Sequence, residues 1–116
     1  MPSPVIIALD FETISEAKAL VADLGDDADH YKVGLQLLTE AGPEAVRWLV
    51  ASGKSVFLDL KLHEIPNSVA GGLQAAGKLG AGLVTVHASG GGAVLRAAVA
   101  AARPFPQLRI LALTVI

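Results

Sequence analysis

The chain has no cysteine among its 116 residues, which excludes a disulfide framework and any thiolate-held metal or cluster. Charge is also scarce. Only 17% of residues are charged and the formal net charge is -2, so no basic patch marks a nucleic-acid partner. Aromatic residues make up 4%, too few for a platform on which bases could stack. No apolar run reaches the roughly 18 residues of a transmembrane helix. The opening stretch, Met1 to Asp10, meets an acid too early for a signal peptide. These absences lead to the expectation of a cytoplasmic protein that binds neither membrane nor nucleic acid.

What is present is apolar sequence, 53% of the chain, enough to build a core. Five short β-branched runs read as strands: PVIIALD (4–10), HYKVG (30–34), SVFLDLK (55–61), GLVTVHA (82–88) and RILALTVI (109–116). Helical patterns lie between them. Thr13 and Glu16 form a capping-box pattern ahead of Ile14, Ala17, Leu20, Val21 and Leu24, and Gly25 supplies the stop. Pro43 suits a first helical turn, followed by Val46, Leu49 and Val50 before Gly53. Asn67 or Ser68 is placed to cap a third helix through Val69, Leu73 and Ala76, which Gly71 and Gly72 weaken. An alanine-rich fourth helix spans Gly92 to Arg103 and closes at Pro104.

This β-α alternation favours parallel strands with helices outside, as either a doubly wound sheet or a β/α barrel. The polar residues at the strand ends discriminate between the two. Lys32, Asp59, His87 and Thr114 recur about every 27 residues near the C-terminal ends of the apolar runs, with Asp10 ahead of them. Barrel sites are built from the C-terminal ends of several strands. A doubly wound nucleotide fold usually has a glycine-rich fingerprint after its first strand, and ALDFET (8–13) has none. The expectation is therefore a (β/α)8 TIM-type barrel, of which this chain holds about the first four and a half units. Eight units of this size need about 215 residues, near the low end for such barrels. Residues 1–116 are read as the N-terminal part of a single barrel domain whose C-terminal half is missing, as in a truncated piece.

The segment FLDLKLHEIPNSV (57–69) carries the chemistry. Strand alternation places Asp59 and Lys61 on one side and Leu58, Leu60 and Leu62 on the other. A buried pair of this kind is costly unless its charges are paired and hydrogen-bonded. Lys32 is expected beside it on the preceding strand, and Glu64 follows in the loop. Two cations and two carboxylates in alternation hold each other's charge states, so a lysine among them stays protonated and aimed. Such an array suits delivery of a proton to a carbanion; a purely structural ion pair is the blander reading.

Together ALD (8–10), KVG (32–34), FLDLKLHEIPNSV (57–69) and VHASGG (86–91) resemble the orotidine 5'-phosphate decarboxylase family, in its shorter bacterial form. The resemblance implies a homodimeric barrel that converts orotidine 5'-phosphate to UMP, in pyrimidine biosynthesis, with no metal or organic cofactor. It implies that Lys61 donates the proton to pyrimidine C6 and that Asp59 lies against the departing carboxylate. Lys32 and Glu64 would complete the network, with Glu64 and Ser68 offered across the dimer interface. Asp10 and Lys32 would also contact the ribose hydroxyls, and Ile65 would join the substrate-binding set. Glu64 and Ser68 stand where the family usually has Asp and Thr. The chain alone is expected to be inactive.

The remaining candidates have plainer readings. His87 is expected to be a hydrogen-bonded structural residue beneath the site. Residues 88–92, ASGGG, lack the Lys-Ser/Thr ending of a P-loop. His63 has no third ligand at useful spacing, and Trp48 reads as packing. Two rival functions stand beside the decarboxylase: a sugar-phosphate decarboxylase or aldolase of the same superfamily, which uses magnesium, and a non-catalytic half-barrel that serves as an interaction module.

Overall fold

The computed structural model describes residues 5–115. Five parallel strands form one sheet in the order β1 (Ile6–Ala8), β2 (His30–Gly34), β3 (Ser55–Leu62), β4 (Leu83–His87) and β5 (Arg109–Leu113). Each strand lies beside its successor in sequence. A doubly wound sheet reverses its strand order at a switch point; here there is no reversal, and the order is that of consecutive barrel staves.

Register explains where the core lies. Tyr31, Val56 and Ile7 fall on one face of the sheet, as do Val33, Leu58 and Val84. Most of these side chains are fully buried, and the helices cover them. Burying each such side chain contributes about 1.5–3 kcal/mol. The alternate positions, Ile6, Lys32, Phe57, Asp59, Leu83, Thr85 and Leu111, line the opposite face. Thr85 apart, these residues are half-buried or exposed.

Local chemistry sets the helix ends. Thr13 caps α1 (Ile14–Leu24): its Oγ1 accepts from the Glu16 N–H at 3.2 Å and donates to the Glu16 carboxylate at 3.0 Å. A single 3-10 turn, Gly25–Asp27, then leads to β2. The Lys54 ammonium, just before β3, donates to the carbonyls of Gly25 and Ala28 at 2.8 and 2.9 Å and holds that turn in place.

Several expectations are corrected here. A short helix, α2 (Leu35–Ala41), directly follows β2, and Gly42 at φ 71° separates it from α3 (Glu44–Ala51). Seven residues are too few for a legible helical period. Pro43 precedes α3 as its cap rather than opening its first turn. Neither Asn67 nor Ser68 caps α4 (Pro66–Leu79). Ile65 occupies the cap position and Pro66 the first turn, where proline's missing N–H leaves nothing unsatisfied and its φ is already helical. Gly71 and Gly72 do not break α4. Gly72 lets the helix approach β3, since a Cβ there would stand 3.0 Å from Leu62 Cδ1.

Helix α5 (Gly92–Ala102) packs beside α4, and the Phe105 ring closes over Gly77 where a Cβ would be only 2.5 Å away. Strands β1 and β5 are shorter than their apolar runs suggest. Thr114 lies beyond β5, and the outer ends of the two runs, Pro4 and Ile116, fall outside the described residues.

Candidate active site

Towards the C-terminal ends of β1 to β3 the charges form a chain of alternating sign. Lys32 Nζ on β2 stands 4.0 Å from Asp10 Oδ1, just after β1, and 3.9 Å from Asp59 Oδ2 on β3. Lys61 Nζ donates to that same Asp59 oxygen at 2.8 Å. The order is Asp10, Lys32, Asp59, Lys61. Its fourth member is Asp10; Glu64 forms no ion pair or hydrogen bond among the described residues and is exposed.

Asp59 is the hub of this chain. Its side chain is 11% exposed, against 45% for Lys61. Burial works to raise its carboxyl pKa and is the largest single influence, but it is outweighed. Hydrogen bonds from Lys61 and Thr85, with the charges of Lys61 and Lys32, together hold Asp59 below the ordinary carboxylate value. The carboxylate is therefore ionised at neutral pH.

Simple alternation does not describe the end of β3. Leu58 pairs with Val84 but Leu62 pairs with Val86, so four steps along β3 match two along β4. The extra residues form a bulge, and Lys61 sits in it at φ 50°, the one non-glycine residue with positive φ among those described. That conformation costs a lysine about 1–2 kcal/mol. It also removes the Lys61 N–H from the regular ladder; Thr85 Oγ1 accepts from it at 2.9 Å. The same hydroxyl donates to Asp59 Oδ1 at 2.7 Å. Thr85 was not legible as a site residue, because a threonine inside LVTVH reads simply as a β-former.

The other candidates lie around this array. Asp10 is largely exposed, at 64% of its side chain, and faces Gly34. Glu64 and Ile65, with His63, Pro66, Ser89, Gly90 and Val94, line an open cavity of about 510 Å³ that no member of the array lines. Ser68 lies in the first turn of α4 and is exposed, its backbone N–H bonded to the Ile65 carbonyl. His87 stacks on His63, ring centroids 4.7 Å apart, and its side chain makes no hydrogen bond among the described residues, against the expectation of a hydrogen-bonded role. Trp48 is half-buried against the core with Lys18 Nζ 5.6 Å from its ring centre. No described helix is long and apolar enough to cross a membrane.

The array can hold an ammonium in place beside a largely buried carboxylate, on the face of the sheet that the helices leave open. Comparison with known proteins gives this arrangement a context. The sequence profile of the "Orotidine 5'-phosphate decarboxylase / HUMPS family" matches residues 3–116. An orotidine 5'-phosphate decarboxylase of Anaeromyxobacter dehalogenans is 46% identical over 112 residues, covering 97% of this chain and 48% of the relative. The corresponding protein of Halorhodospira halophila is 50% identical over 97 residues, covering 84% and 41%. The crystal structure of orotidine 5'-phosphate decarboxylase from Lactobacillus acidophilus superposes with a TM-score of 0.89 at 36% identity, over 97% of this chain and 53% of that one. The chain thus spans about half the length of the curated relatives it matches.

Proposed function

The chain belongs to the orotidine 5'-phosphate decarboxylase / HUMPS family, and from that premise we propose that the whole protein decarboxylates orotidine 5'-phosphate to UMP. In this reading residues 1–116 are the N-terminal part of one barrel domain. The observation that carries it is the sharing of Asp59 Oδ2 by Lys32 and Lys61 at the open ends of the strands.

The chemistry follows from the charges. The C6–carboxylate bond breaks, CO2 leaves, and the electron pair stays on C6, where the Lys61 ammonium supplies the proton. Asp59 lies against the leaving carboxylate. Repulsion between two carboxylates about 4 Å apart is worth roughly 4 kcal/mol at an effective dielectric near 20. Enzymatic rate enhancement can demand about 23 kcal/mol. Ground-state repulsion is therefore a minor contributor, and the larger part falls to stabilising the carbanion by an ammonium already in place before the reaction. The ion pair and hydrogen bond to Asp59 supply that placement.

Asp10 and Lys32 are assigned to the ribose hydroxyls, and Ile65 and Ser68 to substrate binding. Glu64 lies outside the array of its own chain. We assign it, with Ser68, to the site of a second subunit in a homodimer; the exposure of Glu64, Ser68 and Ile65, the last at 70%, supports an outward-facing role. A cytoplasmic setting accords with a reaction on a nucleotide. A cation-dependent sugar-phosphate reaction is less well supported, because the Lys32 ammonium fills the space between Asp10 and Asp59 where a metal would otherwise bridge two acids.

The test is turnover by the whole protein, in excess chelator and separately with added magnesium, with orotidine 5'-phosphate and a 3-keto-gulonate phosphate offered in parallel. UMP formation unaffected by the chelator is the expected result. Turnover of the sugar phosphate alone, dependent on added magnesium, would replace this reading with the other branch of the family.

A further inference from the structure

Thr85 is the only polar residue besides Tyr31 that is almost fully buried among those described, at 1% exposure. It lies on β4, one strand away from the charges it touches, and has no charge of its own. Its hydroxyl has a single proton, and its two partners decide where that proton goes. The Lys61 backbone N–H can only donate, so Thr85 Oγ1 accepts there at 2.9 Å. An ionised carboxylate can only accept, so the proton points to Asp59 Oδ1 at 2.7 Å. The bond to Asp59 Oδ1 is stronger to a charged carboxylate than to a neutral carboxyl, so it favours the ionised form.

The consequences reach both reacting groups. Thr85 occupies Oδ1, which leaves Oδ2 for Lys61 Nζ at 2.8 Å and Lys32 Nζ at 3.9 Å. Bonded at both oxygens, the carboxylate cannot turn about its own axis. The same hydroxyl satisfies the N–H that the bulge strips from the ladder at Lys61, where φ is 50°. One side chain thereby sets the backbone from which Lys61 projects and the carboxylate that Lys61 meets. We propose that Thr85 is a positioning residue for the reaction, holding the Asp59 carboxylate and the Lys61 ammonium in a fixed mutual geometry through its two hydrogen bonds.

The inference rests on the decarboxylase reading for its kinetic readout only. The groups around Asp59 are Lys61 on its own strand, Lys32 on β2, and from β4 Thr85, with His87 further along and stacked on His63. Thr85→Val preserves shape and removes the hydroxyl, so it takes away the bonds without leaving a cavity. In the whole protein Thr85→Val is expected to lower kcat by at least about tenfold while KM changes less than about threefold, as for a displaced rather than a deleted group. The midpoint of the Asp59 carboxyl titration, followed by carbon NMR, is expected to rise, since a bond favouring the charged form is gone. Thr85→Ser is expected to restore most of both losses.

Wild-type kcat and an unmoved Asp59 titration in Thr85→Val would overturn the proposal. So would a Thr85→Ser protein as impaired as Thr85→Val, which would assign the effect to the methyl group and packing. Should Thr85→Val not fold, Thr85→Ala is read by the same two measurements. A wild-type protein that does not act on orotidine 5'-phosphate would sink the decarboxylase reading, while the Asp59 titration would still decide the role of Thr85.

Discussion

The two ends of the same sheet face are built from the same strands and differ in almost every chemical respect. At the N-terminal ends, Ile6, His30, Ser55, Phe57, Leu83 and Arg109 help to line a cavity of about 220 Å³, with no ion pair among them. Towards the C-terminal ends of β1 to β3, Asp10, Lys32, Asp59 and Lys61 form an alternating chain around a buried hydroxyl. The face as a whole is therefore neither greasy nor charged. Paired charge is gathered where loops can shape a site, and Arg109 at the other end stands without an ion pair among the described residues, the division of labour seen in β/α barrels.

That division is broken most sharply at Lys61. Lys61→Ala in the whole protein is expected to reduce kcat by about a thousandfold or more, since in the proposed reaction it removes both a charge aimed at the transition state and the proton donor. Thermal unfolding should change far less than kcat, because the half-exposed side chain adds little burial, alanine keeps the same backbone N–H, and Asp59 retains Thr85 and Lys32.

Asp59→Asn is expected to cost on the order of a hundredfold in kcat by loosening both lysines. It also gives the comparison a pH signature. The folded pKa of Asp59 lies below its ordinary value of about 3.9. Its stabilising contribution is fully present above that value and is lost as pH falls through the lower, folded one. The wild-type protein should therefore lose this part of its stability below about pH 4, and acid titration of Asp59→Asn should lack that loss.

Away from the charged end, substitutions should act on stability alone. Gly77→Ala forces a methyl group against the Phe105 ring and is expected to cost about 1–3 kcal/mol in denaturant unfolding. Leu83→Ala, at the apolar end, should cost about 1–2 kcal/mol because the side chain is only half-buried, with kcat near wild type. A large loss of turnover in a folded Leu83→Ala protein would blur the distinction between the two ends. The smallest effect is expected at Tyr31, whose hydroxyl is buried with no hydrogen-bond partner among the described residues. Tyr31→Phe removes a group that gains nothing from burial and should leave stability within about 1 kcal/mol of wild type or raise it; a larger loss would reveal a partner.

Much of this architecture is legible in the residue pattern. The α1 cap at Thr13 and the span of β2 follow directly from residue chemistry, and the strand-end spacing leads to a barrel, with the consecutive strand order in agreement. The features that escape depend on contacts between segments distant in sequence. The bulge at Lys61 exists because β4 holds a hydroxyl in reach of its N–H, a fact separated from it by 24 residues. Gly72 looks like a helix breaker until Leu62 is seen lying against it, and the Phe105 ring over Gly77 is likewise a contact between distant segments. Glu64 shares a short motif with Asp59 and Lys61, yet the loop carries it away from the array, because adjacency in sequence does not fix direction once a strand has ended. Asp10 supplies the second carboxylate from another strand.

In the proposed reaction an ammonium held at the charged end delivers the proton. Chemical rescue tests it most directly: the rate of UMP formation by Lys61→Ala whole protein, in chelator, with increasing ethylammonium. The account predicts negligible turnover without the amine and a saturable increase of at least about tenfold with it, as a diffusible ammonium takes up part of the vacated role. A correctly folded Lys61→Ala protein that turns over within about tenfold of wild type with no amine added would contradict it, because the reaction would not then depend on the charge that Asp59 holds.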